Sequence, residues 1–308
     1  MSSAVEAPKG LRWWFQSVPA ERLAVLRVLV GLYSVIYFCV RIPYWLSFAR
    51  HRAVQFDPVG VLVWMDAPMS PGLYQTLVVL TALGSVLFFI GAWYKVAAPV
   101  FAALLFVVLC YANSWGTVLH TDNLWLAHVV ALSMAPAADA VSYDARSNTT
   151  PLPAHFKYGW AIRLMCLVCV CAYFIAGLAK VKNSGLDFVG GETLRNYVAM
   201  DNVRKLELGS PFYSPLAVWM LEYTATFRVL AMGSMVLELG APVAMMHRYI
   251  AKPWTIAMWG FHVGVLALMA IGFFYPITFI AFAPFWRVER LLRFFPERFR
   301  GASAPAPA

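Results

Sequence analysis

Long runs of hydrophobic residues alternate with short polar connections along this chain. A helix needs about 20 mainly apolar residues to cross a bilayer, and eight runs approach this length. The pattern predicts an all-α, polytopic membrane helical bundle with about eight transmembrane spans. Pro136 and Asp139 weaken the fourth run, and the last two adjoin at Gly272, so one kinked helix is an alternative there. The predicted spans are 23–40, 73–93, 96–111, 124–141, 158–179, 226–246, 254–270 and 273–286.

Basic residues in the connections predict the orientation of the bundle. Lys and Arg favour cytoplasmic loops, and with the N-terminus inside, Lys95, Lys157 and the basic C-terminal segment fall on that side. The opposite side receives the loop 113–122, which contains no Lys or Arg. We therefore predict an N-in, C-in multi-pass protein of a bacterial cytoplasmic (inner) membrane.

The two ends of the chain differ from its apolar middle. Residues 1–22 combine basic and aromatic side chains, which are typical of an interfacial segment. Residues 287–308 begin with several arginines and finish in an Ala/Pro-rich stretch that favours disorder. We divide the chain into this N-terminal segment, a transmembrane domain over 23–286, and a C-terminal tail.

Composition supports the membrane interpretation. Hydrophobic residues make up 61% of the 308 positions and charged residues 13%, against about 25% charged residues in a soluble domain. The mean hydropathy is +0.68. A soluble enzyme, a disordered chain and a nucleic-acid-binding protein are therefore excluded, and the lipid bilayer is the first expected partner. All five cysteines lie within apolar runs, which predicts neither a disulfide framework nor a metal site.

Polar side chains inside the apolar runs are the informative exceptions. Each costs a few kcal/mol if it faces lipid, so each must face protein, water or a ligand. The two arginines lie near cytoplasmic ends, where they can reach the interface or hold a structural ion pair or a helix C-terminus. The glutamate either pairs with an arginine or serves a site, and the histidines either pack or line a pathway. These residues are Arg27, His128, Arg163, Glu238 and His262.

Several motifs, in one order, resemble the HTTM family, the membrane domain shared by vitamin K-dependent gamma-glutamyl carboxylases and many bacterial proteins. The most specific is the run 173–182, Tyr-Phe-Ile-Ala-Gly-Leu-Ala-Lys-Val-Lys, followed by Asp-Phe-Val-Gly-Gly at 187–191. The resemblance extends over roughly residues 20 to 286. The other matching pieces are Leu26-Arg27-Val-Leu-Val-Gly31, Asn123 onward to Ser142-Tyr143-Asp144, Arg163, Glu238-Leu-Gly-Ala-Pro242, Phe261-His262 and Ile271-Gly-Phe-Phe274.

The resemblance implies a function and a set of site residues. In the carboxylases, the lysine that matches Lys180 deprotonates vitamin K hydroquinone, and the oxygenated quinone then removes a proton from a glutamate that adds carbon dioxide. By this resemblance Lys180 and His262 are the expected catalytic residues. His262, Asn123 and His128 are the expected contacts of a reduced vitamin K or menaquinol cofactor. A protein or peptide would be the second substrate.

Alternatives remain open at this stage. Lys182 is a second amine two residues after Lys180. The chain could be a carboxylase-like or quinol-oxygenating (epoxidase) enzyme with Lys180 as base. It could instead be a non-enzymatic membrane factor for export, maturation or immunity, whose polar residues only hold the bundle together. A small transporter with Glu238 and His262 as a proton relay is a third hypothesis, which the lack of an internal repeat disfavours.

Overall fold

The computed structural model describes residues 8–116, 118–147, 150 and 152–294. Within this part of the chain there are helices and turns but no strand, and Val18 and His155 form an isolated antiparallel bridge. The all-α prediction is confirmed. The α-helices are α1 (Ala20–Ser47), α2 (Pro71–Ile90), α3 (Tyr94–Ala112), α4 (Asn123–Ser133), α5 (Phe156–Ser184), α6 (Glu192–Glu207), α7 (Pro215–Met220), α8 (Thr224–Leu239), α9 (Ala241–Met246), α10 (Arg248–Met269) and α11 (Phe274–Ile277).

Four of the described helical segments are long and apolar enough to cross a membrane. They are built on α1, α2, α3 and α5, and they make this an integral membrane protein. Their apolar windows have mean hydropathies of 2.0 to 2.2. Helix α1 is longer than predicted, since it begins three residues earlier, at Ala20, and continues through Pro43 to Ser47.

The number of eight complete spans is not confirmed, because three of the predicted spans are shorter or interrupted in the structure. Helix α4 ends at Ser133 before Pro136. The predicted sixth span divides into α8 and α9, since Pro242 has no N–H to donate to the carbonyl of Glu238. In place of the eighth span, residues 273–286 form the short α11 and a 3-10 helix, separated at Phe279, whose φ is positive.

Two compact units make up the described chain. The first comprises residues up to 165 together with those from 287 onward, and the second comprises 166–286. Helix α5 contributes its N-terminal part to the first unit and its C-terminal part to the second. Within residues 287–294, predicted to belong to a separate tail, Val288–Phe294 form a 3-10 helix whose Glu289 pairs with Arg22 of α1. The Ala/Pro-rich stretch predicted from residue 301 lies outside the described residues.

A fully buried arginine holds the first unit together. Arg27 of α1 donates to the carbonyls of Phe88 at 3.0 Å and Phe89, both in the last turn of α2. It also donates to the carbonyls of Ala137, at 3.1 Å, and Val141, in the turns after α4. Of the roles left open for Arg27 by the sequence, it therefore takes that of a helix C-terminal cap.

In the second unit α8 and α10 run antiparallel, and α6 packs against both. The indole nitrogen of Trp254 donates to the carbonyl of Leu237 at 2.9 Å, joining the helices at one end. At the other end, Phe227 of α8 packs in an apolar cluster with Leu268 and Met269 of α10. Three side chains from α6 and the segment after it donate to the last carbonyls of α10. They are Asn202 to Leu268 at 2.9 Å, Lys205 to Met269, and Ser214 to Ala267 at 2.5 Å.

Candidate functional site

The amine of Lys180 and the carboxylate of Glu238 form an ion pair in the second unit. The Nζ atom lies 2.7 Å from both carboxylate oxygens. The Glu238 side chain is only 4% exposed and that of Lys180 is 25% exposed. Transfer of either charge alone to an apolar environment costs far more free energy than transfer of the pair. The sequence left an arginine as the structural partner of Glu238, whereas the structure pairs it with Lys180.

Local backbone features bring these two side chains together. Lys180 lies near the end of α5, and Gly177 is one turn earlier on the same helix. An added Cβ at Gly177 would lie 3.0 Å from the Cβ of Glu238, so glycine allows α8 to approach α5 here. On α8, Glu238 is the penultimate residue before the helix breaks at Gly240. Both members of the pair therefore lie near helix ends.

Lys180 lines an apolar cavity of about 560 Å³. This volume falls in the range of about 300–1,000 Å³ that is usual for sites of small organic ligands. The other polar residues of the described lining are Asn183 and Ser184 on α5, Tyr197 on α6 and Ser234 on α8. Most of the remaining wall comes from α6, α8 and α10, and includes Leu194, Val198, Val229, Leu230, Leu237, Val265 and Leu268.

Two aromatic rings lie close to the amine at the cavity wall. The Nζ of Lys180 is 5.0 Å from the ring centroid of Phe188 and 5.6 Å from that of Phe261. Ring faces attract cations within about 6 Å. Phe188 is buried and packs on Ala231 and Met235 of α8. The rings thus hold the amine in an apolar setting without removing it from the cavity.

The ion pair also decides which head group suits this end of the cavity. A lone ammonium would favour an anionic ligand, but the adjacent carboxylate of Glu238 cancels its charge. An ammonium has three N–H donors, and one of them donates to Oε1 of Glu238, while Oε2 lies 2.7 Å from the nitrogen as an ion-pair contact. The amine therefore keeps donor capacity toward the cavity that it lines. The polar end therefore suits a neutral group that can accept and donate hydrogen bonds, such as a hydroxyl or a carbonyl.

His262 lies in the second unit but is not among the described residues that line this cavity. Its side chain is buried, and Nε2 shares a hydrogen bond of 2.8 Å with the hydroxyl of Tyr173. The rings of Phe261 and Phe273 lie 5.3 and 5.0 Å from its ring. The predicted catalytic and ligand-binding roles of His262 remain predictions.

The predicted cofactor contacts Asn123 and His128 belong to the first unit. Asn123 is exposed at the first position of α4. The preceding Asp122 accepts a hydrogen bond of 3.0 Å from the Tyr37 hydroxyl, and burial raises the pKa of this carboxyl. His128 is fully buried, and its Nε2 donates to the carbonyl of Met165 at 3.2 Å. Their ligand-binding roles also remain predictions.

The remaining polar residue of the predicted spans, Arg163, lies near the N-terminal end of α5 in the first unit. Its guanidinium is 5.0 Å from the ring centroid of Trp13. The expected structural role of Arg163 near a membrane interface remains a prediction. The described residues contain no group of three or more metal-ligating side chains, and none of the five cysteines forms a disulfide.

Several residues at or near the site cannot be assigned a role from the sequence alone. Tyr173 and Phe188 fall within the family motifs at 173–182 and 187–191, which imply no role for either. Gly233 and Gly260 line the cavity and belong to none of the motifs. A helical-wheel comparison of 226–246 with 254–270 would have put these glycines on one face of each helix, but their pairing needs the register of the two helices.

These features define a helical integral membrane protein with an ion pair at the wall of an apolar cavity. The chain belongs to the HTTM domain family, which matches residues 15–289. That match confirms the family expected from the ordered motifs. No curated protein and no solved structure matches the chain.

Proposed function

We propose that this protein is a membrane enzyme that oxidises a quinol, with Lys180 as the base. The observation that carries the proposal is the Lys180 amine at the polar end of an apolar cavity of about 560 Å³. The charge-balanced end suits a neutral hydroxyl, and the apolar wall suits a ring system. The reduced vitamin K or menaquinol expected from the family resemblance has both features.

The ion pair supplies a route for the proton. In the pair, the Lys180 amine carries a proton and cannot accept another. It becomes a base when that proton moves to a Glu238 oxygen 2.7 Å away, which neutralises both groups at once. The neutral amine can then accept the proton of a hydroxyl at the cavity wall. A bound quinol would supply that hydroxyl and the electrons that reduce dioxygen.

The buried surroundings favour this exchange. An ion pair loses its advantage over the neutral pair as water is removed, and Glu238 is almost fully buried. Phe188 and Phe261 limit the water around the amine. The residues required for the step are therefore Lys180 as the base and Glu238 as its proton acceptor.

The test is product formation by the purified protein in nanodiscs. Menaquinol, oxygen and bicarbonate are added, and mass spectrometry measures the quinone epoxide. One quinol and one dioxygen give one epoxide and one water. We expect epoxide from the wild type and from Lys182→Ala, but none from Lys180→Met combined with Glu238→Gln, which removes the charged pair without leaving one buried charge.

Three outcomes are informative. Epoxide only from proteins with Lys180 supports the proposal. Equal epoxide from the double variant overturns the role of Lys180. If folded wild-type protein binds menaquinone but forms no epoxide, quinol oxidation is wrong. The non-enzymatic membrane factor for export, maturation or immunity then becomes the preferred hypothesis.

A further inference from the structure

The cavity beside Lys180 has two exposed edges of opposite character. At the end of α5, the exposed Asn183 lies next to Lys180 and forms a polar edge. Along α8 and α10, the exposed lining residues are Val229, Leu230, Gly233 and Gly260, which form an apolar edge. A cavity of this kind suits a ligand with a polar head and an apolar tail.

The apolar edge is a gap between two points where α8 and α10 are held together. The Trp254–Leu237 hydrogen bond closes one end. The packing of Phe227 with Leu268 and Met269 closes the other. Because the helices are antiparallel, Gly233 and Gly260 both lie between these two points.

Glycine keeps this gap open. A Cβ added at Gly233 or Gly260 would meet no atom within 4 Å. Neither glycine is therefore required by a close contact or by a positive φ, although glycine within a helix costs about 1 kcal/mol relative to alanine. A side chain at either position would occupy the open space beside the cavity that both glycines line.

The surface around the gap is apolar. On α8, Met232 and Val236 are exposed, and on α10, Ile256, Val263 and Leu266 are exposed. We would expect polar side chains around an entrance that is filled with water. These apolar side chains instead suit contact with the hydrocarbon of the bilayer.

We propose that the gap at Gly233 and Gly260, hereafter the glycine window, holds the apolar tail of a membrane-dissolved lipid whose neutral head group contacts Lys180. This inference rests on the proposed function and adds the path of the ligand's tail, which passes between α8 and α10 and remains partly in the bilayer. The same cavity without the window would accept a ring but no long chain.

Thiol labelling tests the glycine window and does not require the protein to have enzymatic activity. Cys39 and Cys171 are the exposed native cysteines, so both are first changed to serine. Gly233→Cys and Gly260→Cys are then made in this background. Val236→Cys is the matched control, because Val236 is 72% exposed on α8 and does not line the cavity. Each is labelled in nanodiscs with a lipid-soluble and a water-soluble maleimide, with and without menaquinone-4.

We expect the lipid-soluble reagent to label all three cysteines faster than the water-soluble reagent does. Menaquinone-4 at ten times its Kd leaves about a tenth of the sites free, so it should slow labelling of the two window cysteines about tenfold. Labelling at Val236→Cys should not change. Equal protection at all three positions, no protection at any, or fast labelling by the water-soluble reagent overturns the proposal.

Bulky substitutions give a second, independent measurement. Gly233→Trp and Gly260→Trp should weaken binding of menaquinone-4 at least about tenfold, which is about 1.4 kcal/mol. Binding of menadione, which has the ring but no tail, should change less than twofold, as should both ligands with Val236→Trp. Equal weakening of both ligands by the window variants would mean that the tail does not pass there.

The two proposals fail in different ways. Protection of the window cysteines without epoxide from any quinol keeps the lipid site and rejects quinol oxidation. Epoxide formation without protection keeps the enzyme and rejects the window.

Discussion

The amine nitrogen of Lys180 lies 2.7 Å from both carboxylate oxygens of Glu238, a residue 58 positions later in the chain. The lysine is the most specific residue of the family motif, and the glutamate is the one acidic side chain that hydropathy leaves unexplained in mid-span. Because they form a pair, the effect of a substitution at either residue depends on the other residue. A substitution of one changes the charge state and the solvation of the other.

The first prediction concerns the coupling within this pair. Removal of one partner from a buried ion pair costs about 3–5 kcal/mol, because the remaining charge is left uncompensated. We expect Lys180→Met to lower the apparent Tm in nanodiscs, and the addition of Glu238→Gln to restore most of that loss. Lys182→Met, at an exposed position on the same helix, is the control and should leave the Tm unchanged. Additive losses in the double variant would contradict the coupling.

The second prediction separates a structural from a catalytic role for His262. Its Nε2 shares a hydrogen bond of 2.8 Å with the Tyr173 hydroxyl, so Tyr173→Phe removes the same hydrogen bond without changing the imidazole. A buried hydrogen bond with one partner deleted costs about 1–3 kcal/mol. We expect His262→Phe and Tyr173→Phe to lower the apparent Tm by similar amounts. If epoxide formation is then lost only with His262→Phe, the imidazole has a chemical role that its hydrogen bond does not explain.

The third prediction concerns Arg27. Its guanidinium donates to four backbone carbonyls, at Phe88, Phe89, Ala137 and Val141. A lysine keeps the charge but donates from a single nitrogen, so it cannot reach all four acceptors. Each buried carbonyl left without a donor costs about 1–3 kcal/mol. Arg27→Lys should therefore reduce the yield of monodisperse protein and lower its Tm. A variant with wild-type stability would show that the charge alone suffices.

The fourth prediction compares two glycines at opposite ends of α2. Gly91 has a φ of 67°, and an added Cβ would lie 2.6 Å from the Cβ of Ser142 and 2.8 Å from Nη1 of Arg27. Gly72 lies near the start of α2, where an added Cβ meets nothing within 4 Å. We expect Gly91→Ala to prevent normal folding and Gly72→Ala to be neutral or slightly stabilising. Expression and size-exclusion profiles of the two variants, measured side by side, decide this.

Much of the fold follows from the chain itself, because burial in lipid demands uninterrupted apolar helices. Helices α2, α3 and α5 fall close to the predicted runs, and motif order led to the correct family. Prolines account for two of the three differences. The runs that contain Pro136 and Pro242 are long and apolar enough to be predicted as spans, and the missing N–H of proline, which ends a helix, does not enter their hydropathy.

The candidate site was predicted in part. The sequence identifies Lys180 and Glu238 individually, because a charge in an apolar run is costly. It does not show that the two charges compensate each other. Their pairing depends on the register between α5 and α8, and no local pattern encodes that register. The contact of His262 with Tyr173 joins residues 89 positions apart, so it too depends on how two helices pack. The glycine window likewise depends on the packing of two helices.

The hydrogen bonds at the end of α10 have a consequence for exchange of the ligand. Helix α6 contributes Leu194, Tyr197 and Val198 to the cavity wall, while Asn202, Lys205 and Ser214 hold the last three carbonyls of α10. If this wall moved away from α10, the three carbonyl acceptors would lose their donors, and the apolar cluster between the helices would be broken at the same time. We therefore expect a ligand to enter and leave the cavity without displacement of this wall.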